Sequence, residues 1–320
     1  MLISFLQELY KPQPELNMNE DDFIGIQAEI DLFGISAQVY MLLKEEGEAY
    51  KHLPIAFWQH LVSGFTSTLQ FNLYMKVQEE AIFRAFERNR IHSMPLKGIQ
   101  FASRYFGHYG ARYTSDIDIY VPEPELKRAI RCLEEEGFEF EVIKDHHARL
   151  HKGDLTVELH MTFDKQYWSR LDPAPFWEES ERFQEYHYIR QMSTQQAFYF
   201  ICLHGARHHM DNMRFILDIV QMLYRSGAEI DFEALFRQAK RDLTSRRIRT
   251  VLTIVYSQFP HLQEWKPLDM TYIDSGWRYD TIRSAILGRK GVPYYRYKLH
   301  FKHLIFDSWK YVLQSISKPY

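Results

Sequence analysis

The sequence predicts an α+β protein in which a small mixed or antiparallel sheet lies between two helical regions. Three observations carry this. Residues 66–90, TSTLQFNLYMKVQEEAIFRAFERNR, contain no glycine or proline, as a long helix requires. DIDIYV at 116–121 and LTVELHM at 155–161 alternate polar and apolar residues, the period of two that marks a half-buried strand. Helical character returns from about residue 185, in QQAFYFICLHGARHHMDNMRFILDIVQMLYRSG and beyond. The chain divides on this reading into a helical region at 1–90, a core at 91–180 and a helical domain at 181–320.

Taken in order, residues 15–50 are rich in acids, with Glu15, Glu20, Asp21, Asp22, Glu29, Asp31, Glu45, Glu46 and Glu48 against Lys44 alone. Such a run reads as a solvated face. In the long helix, Leu69, Leu73, Val77, Ala81 and Phe83 form the expected apolar stripe. Residues 91–96 form a short strand or an extended approach to Lys97-Gly98, and 99–109 a helix. After the 116–121 strand, Pro122-Glu-Pro-Glu125 opens a helix that runs through Glu136, with Gly137 beyond its end, since proline suits a first turn and glycine a left-handed cap. FEFEVI at 138–143 is a strand, Asp145-His146-His147 a loop, and Gly153-Asp154 the turn before the strand at 155–161. Two helices joined near Asp211-Asn212 follow, then one or two within 231–258. Phe301, Leu304, Ile305, Trp309, Val312 and Ile316 recur near helical spacing and predict a packed terminal helix.

Composition narrows the function. The 320 residues include 39 Lys and Arg and 42 Asp and Glu, a formal net charge of −3. A globally basic nucleic-acid binder is disfavoured. Cys132 and Cys202 are too few for a disulfide scaffold and read as buried thiols in a reducing compartment. No signal-peptide pattern and no run of 18 apolar residues occurs, so no membrane span and a cytoplasmic location are expected. The segment from Arg289 on is basic and aromatic, with Asp307 its one acid. It is expected to pack as a helix with a charged outer face, folded against the acidic N-terminal third. Binding of RNA through this segment is the alternative.

The chemistry concentrates on two strands. Asp116 and Asp118 share one face of theirs, and Ile117 and Ile119 the other. Two like charges held together call for a compensating cation, and magnesium prefers carboxylate oxygens with substrate phosphates. A D-x-D alone is weak, because solvated strands also alternate. Glu158 and His160 share a face of the second strand. If the two strands are neighbours, three carboxylates converge as a two-metal phosphoryl-transfer site requires, with Glu158 able to take a proton and His160 to orient it. Gly98 lets backbone approach a phosphate at a helix start. Lys97 adds charge, and Arg112 could clamp a phosphate with both arms.

PLKGIQFASRYFGHYGARYTSDIDIYV resembles the polymerase-beta-type nucleotidyltransferases. More narrowly, it is similar to a bacterial group of uncharacterised nucleotidyltransferases with a Leu-Lys-Gly opening, an arginine shortly before Asp-x-Asp, and a later acid-x-His. The resemblance spans roughly residues 65–225. It implies a polymerase-beta-like core of mixed sheet and helices, a glycine motif that holds nucleotide phosphates, and three carboxylates that bind magnesium or manganese. Gly98 matches the glycine, Asp116 and Asp118 the metal pair, and Glu158 the third acid. Leu96, Lys97 and Arg112 match the narrower group, as do His204 and Asp218 within LHGARHHMDNMRFILDIV. Ile99 stands where the broader superfamily has serine or glycine, so Lys97 or Ser103 is expected to replace the missing hydroxyl.

The implied activity is transfer of a nucleotidyl group from a nucleoside triphosphate such as ATP to an acceptor hydroxyl. The acceptor is a small molecule or a protein, with RNA less favoured. Lys97, Gly98, Arg112, His160 and His204 are the expected nucleotide contacts. A non-catalytic nucleotide-binding protein and a D-x-D glycosyltransferase are the alternatives. His204 and His208 lie one helical turn apart, but no HExxH glutamate separates them, so a zinc hydrolase is not supported. His209, Asp211 and Arg207 lie beside them, and Arg207 and His204 are expected near substrate.

Overall fold

The computed structural model describes all residues except 12, 13, 46–52, 145, 146, 166 and 318–320. Of the expected loop at 145–147, Asp145 and His146 therefore lie outside the described residues. Helix α1 (Leu2–Glu8) buries Leu2, Phe5 and Leu6. Helix α2 (Glu20–Phe33) starts at a capping box, where Asn19 and Asp22 exchange side-chain and backbone hydrogen bonds. It ends at Gly34, whose φ of 63° is left-handed, a conformation glycine adopts without a Cβ clash. Helix α3 (Ser36–Glu45) follows.

Helix α4 (Ile55–Arg88) is 34 residues long. Its first half sends Phe57, Leu61 and Phe65 into a core shared with the other N-terminal helices and the C-terminal helices. Its second half sends Met75, Ile82, Phe83 and Phe86 into a separate core under the sheet. The expected stripe is therefore corrected. Leu73 and Val77 are 45% and 57% exposed. The buried row passes through Asn72, Met75, Glu79, Ile82 and Phe86, at the three- and four-residue steps of one helix face. Two polar residues on that row hid it from a search for apolar ones.

The middle of the chain supplies β1 (Met94–Pro95), α5 (Ile99–Phe106), β2 (Ile117–Tyr120), α6 (Leu126–Glu135), β3 (Glu139–Lys144), β4 (His147–Lys152) and β5 (Leu155–His160). The five strands form one sheet in the order β1-β2-β5-β4-β3. Within this sheet β2 and β5 pair in parallel, and the other strand pairings are antiparallel. Helix α6 packs Ala129, Cys132 and Leu133 with Ile117 and Ile119 into the sheet core. Strand β4 is a correction, since His147 begins it rather than closing a loop. Its inward residues Ala148 and Leu150 are fully buried, an alternation too short and too histidine-rich to stand out in the sequence.

Short helix α7 (Ala174–Glu178) and the β6–β7 ribbon (Glu181–Arg182, Arg190–Gln191) lead to the helical C-terminal part. Helix α8 (Thr194–Arg207) is capped by Ser193, whose hydroxyl accepts from the Gln196 amide. Helix α9 (Met213–Ser226) starts at Asn212, close to the expected junction. Helices α10 (Phe232–Asp242), α11 (Ser245–Gln258) and α12 (Leu262–Trp265) complete this layer. The chain continues through α13 (Tyr279–Ile286), α14 (Val292–Leu304) and α15 (Trp309–Ser317). The expected single terminal helix is thus two. Phe301, Ile305 and Val312 are buried, but Trp309 is 79% exposed. The acidic N-terminal segment is met by α13, where Arg283 Nε lies 2.8 Å from Glu29 Oε1 and the Tyr279 hydroxyl donates to Glu29 Oε2 at 2.7 Å. Lys298, in the basic segment, pairs with Asp211 instead. No helix among the described residues is long and apolar enough to cross a membrane.

Candidate active site

The parallel pairing of β2 and β5 brings the expected acids together. Asp118 stands opposite Glu158 in register, and Tyr120 opposite His160. Ile117 and Ile119 are buried in the sheet core, which turns Asp116 and Asp118 to the other face. His160 Nε2 lies 2.9 Å from Asp118 Oδ1 and 3.5 Å from Glu158 Oε2. One ligand atom each from Asp118, Glu158 and His160 falls within a 4.8 Å cluster. Asp116 is outside that cluster and meets it through Lys97, whose ammonium lies 2.6 Å from Asp118 Oδ2 and 3.6 Å from Asp116 Oδ1.

Glu158 has a further partner that the sequence did not reveal. Arg149 on β4 faces it across the antiparallel pair. It donates to Glu158 Oε1 from Nη2 at 2.9 Å and from Nε at 3.2 Å. His147 Nε2 stands 3.7 Å from the same oxygen.

The environments push the carboxyl groups apart. Burial raises the pKa of Asp118, but Lys97 and His160 outweigh it and hold the group well below the usual carboxylate range. Glu158 is likewise raised by burial, yet His160, His147 and Arg149 bring it down to about 2. Asp116 is raised, by burial and by the Asp118 charge. Burial lowers His160 and Lys97, and in both the facing carboxylates prevail and raise the pKa. Asp118 and Glu158 are therefore held in their ionised form, whereas Asp116 is shifted toward its neutral one.

The approach to β2 is fixed from α4. Asn72 is fully buried. Its Nδ2 donates to the Tyr109 carbonyl at 2.6 Å and the Arg112 carbonyl at 2.7 Å, and its Oδ1 accepts from the Thr114 amide at 3.3 Å. Gly98, at the start of α5, has φ of 76°. A Cβ there would lie 3.0 Å from Thr114 Cγ2, so both backbone and space favour glycine.

The acids line a cavity of about 410 Å³ with Lys97, Gly98, Thr114 and Ser115. Its opposite wall comes from α8 and α9 and holds Phe200, His204, Arg207, His208, Arg214 and Phe215. His204 and His208 lie 4.7 Å apart between ring centres, and His208 stacks on Phe215 at 5.2 Å. Burial, together with the nearby cations, depresses both imidazoles, His208 to about 4. This wall is aromatic and neutral at His204 and His208, and cationic at Arg207 and Arg214. Arg207 is held by the Phe163 carbonyl, to which Nη2 donates at 2.8 Å.

Two expectations change. Arg112 lines the cavity, but its two-armed face is committed to Asp218, with Nε to Oδ1 and Nη2 to Oδ2 both at 2.8 Å. It is not free to clamp a phosphate with both arms. Ser103 lines a neighbouring cavity of about 350 Å³ on another side of Lys97, so the hydroxyls beside the acids are those of Thr114 and Ser115.

Residues 34–259 match the model of a family described as uncharacterised nucleotidyltransferase, and the chain belongs to that family. No curated protein and no solved structure matches it at a significant level. Membership indicates a transferase with a nucleotide substrate.

Proposed function

We propose that this chain is a magnesium-dependent nucleotidyltransferase with a polymerase-beta-like core at residues 91–180, between the helical regions 1–90 and 181–320. The observation that carries this reading is the convergence of Asp118 and Glu158 on adjacent parallel strands beside Asp116. The donor set fits a hard divalent cation, since carboxylate oxygens dominate it. The Lys97 ammonium between Asp116 and Asp118 stands where a compensating positive charge is required.

Asp116, Asp118 and Glu158 would hold magnesium, with manganese able to replace it. When bound, the metal supplies charge against the triphosphate and the leaving pyrophosphate. His160 orients Asp118 and Glu158. The Gly98 backbone and Lys97 hold phosphate oxygens, and Arg112 fixes the segment before Asp116 through its bond to Asp218. Arg207 and Arg214 add charge from the opposite wall, where His204 faces the nucleotide. In the reaction, the acceptor oxygen forms a bond to the α-phosphorus. The bond from that phosphorus to the bridging oxygen breaks, pyrophosphate departs with the electron pair, and the acceptor proton passes to a site carboxylate. Glu158 Oε2, which Arg149 does not engage, would receive it.

A second reading, a nucleotide-binding protein without transfer, is favoured by the pairing of Glu158 with Arg149. One assay separates the two. The purified chain is incubated with α-labelled ATP, CTP, GTP and UTP, Mg²⁺ or Mn²⁺, and a cell extract as acceptor source. Transfer of label that Asp118→Ala abolishes supports the enzyme. Tight nucleotide binding with no transfer from any of the four supports the second reading.

A further inference from the structure

We propose that a cavity behind Arg214 and Phe215 is the acceptor compartment and takes a small hydroxyl compound carrying a phosphomonoester. The inference rests on the nucleotidyl-transfer reading above and names the substrate class for it. The cavity has a volume of about 350 Å³ and is lined by Asn212, Arg214, Phe215, Ile286, Lys290 and Tyr294. That is the size of a site for a small molecule. Arg214 and Phe215 line the acid-bearing cavity as well, so these two side chains are the wall the compartments share. A ligand bound on the far side reaches the acids by passing them.

The charges favour a dianion. The carboxylate four residues along α9 from Arg214 is Asp218, the usual helical partner at that spacing. It is committed to Arg112. Among the described residues no hydrogen bond or ion pair engages the Arg214 guanidinium. Burial and the nearby Arg112 lower its pKa, outweighing the more distant attraction of Asp218 and Asp116. Lys290 is exposed and stands 5.8 Å over the Tyr294 ring. The one carboxylate among the described residues lining this cavity, Asp211, pairs with Lys298 at 3.1 Å and accepts from the Tyr294 hydroxyl at 3.4 Å. Arg214, with no ion pair among the described residues, and Lys290 thus bring two positive charges to the cavity, with Tyr294 and Phe215 as ring surfaces beside them. An arginine with a lysine suits a phosphate better than a neutral group. Ile286, Lys290 and Tyr294 lie beyond residue 259, where the family match ends. The compartment therefore joins a wall of the matched region to a segment outside it.

The test is calorimetric titration of the full chain with ribose 5-phosphate, ribose and a 5′-phosphorylated oligoribonucleotide, and separately with Mg·ATP. Ribose 5-phosphate is expected to bind about tenfold or more tightly than ribose, as a charge-assisted contact implies. Lys290→Glu, on an exposed side chain, is expected to weaken it about tenfold while Mg·ATP affinity changes less than about twofold. Equal affinity for ribose and ribose 5-phosphate overturns the proposal. So does ribose 5-phosphate binding that Lys290→Glu leaves unchanged, or an oligoribonucleotide that binds far more tightly than the sugar phosphate. A wild-type chain that binds ribose 5-phosphate through Lys290 but does not bind Mg·ATP counts against the nucleotidyl-transfer reading and leaves the anion cavity standing.

Discussion

Arg112 and Asp218 meet through two parallel hydrogen bonds of 2.8 Å, although 106 positions separate them in the chain. Their side chains are 7% and 1% exposed. The pair ties the segment that enters β2 to the middle of α9, and so joins the two walls of the acid-bearing cavity. It also decides the chemistry around it, because it removes Arg112 from bidentate phosphate binding and leaves the Arg214 guanidinium without a direct ion pair among the described residues.

Breaking this pair from one side strands a buried charge. Asp218→Asn is expected to lower unfolding stability by about 3–5 kcal/mol. Replacing both partners with apolar residues, in Arg112→Met with Asp218→Leu, removes both desolvation penalties and is expected to recover most of that loss. Urea unfolding of the single and double variants measures it. A single variant as stable as wild type would show that the pair contributes nothing.

Asn72 makes three hydrogen bonds to the segment that carries Thr114 toward Asp116. Asn72→Ala leaves those backbone groups without their partner, at about 1 kcal/mol or more for each. A loss of about 2–4 kcal/mol is expected, with faster amide hydrogen exchange at Thr114. Unchanged exchange there would mean that the segment is held by something else.

Glu79 is buried on α4, and burial raises its pKa to about 7 against the hydrogen bond from Gln100. A carboxyl raised from 4.5 to about 7 keeps its proton in the folded state after the unfolded chain has lost it. Its stabilising effect is full below about pH 4.5 and declines as pH rises through about 7. Glu79→Gln removes this dependence. The variant is expected to match wild type near pH 4.5 and to exceed it at pH 8 by about 1–3 kcal/mol. Thermal unfolding across that range reads the difference, and parallel curves for the two proteins would refute the assignment.

The acids of the site were legible in the sequence because a strand has period two. Asp116 with Asp118 and Glu158 with His160 each declare a shared face without any knowledge of neighbours. What the sequence could not supply was which strands pair. The parallel β2–β5 register was only a condition for convergence. Arg149 went unseen as the Glu158 partner because β4 itself was missed. Asn72 and Glu79 escaped notice for a related reason, since polar residues on a helix read as solvated until their burial is known. The destinations of Arg112 and Arg214 depend on contacts between α9 and a distant loop, and residue spacing carries no trace of those. Gly98 was legible as a special backbone position, whereas the Thr114 methyl packed against it was not.

On the function proposed above, Asp118 and Glu158 form a divalent-cation site for a nucleotide. Anomalous diffraction from crystals of the full chain soaked with Mn²⁺ and a non-hydrolysable ATP analogue would locate that cation. An anomalous peak within bonding distance of oxygens of Asp118 and Glu158 is expected, with the Lys97 ammonium displaced from between Asp116 and Asp118. A nucleotide bound with no peak at these residues, and Glu158 still held by Arg149, would contradict it.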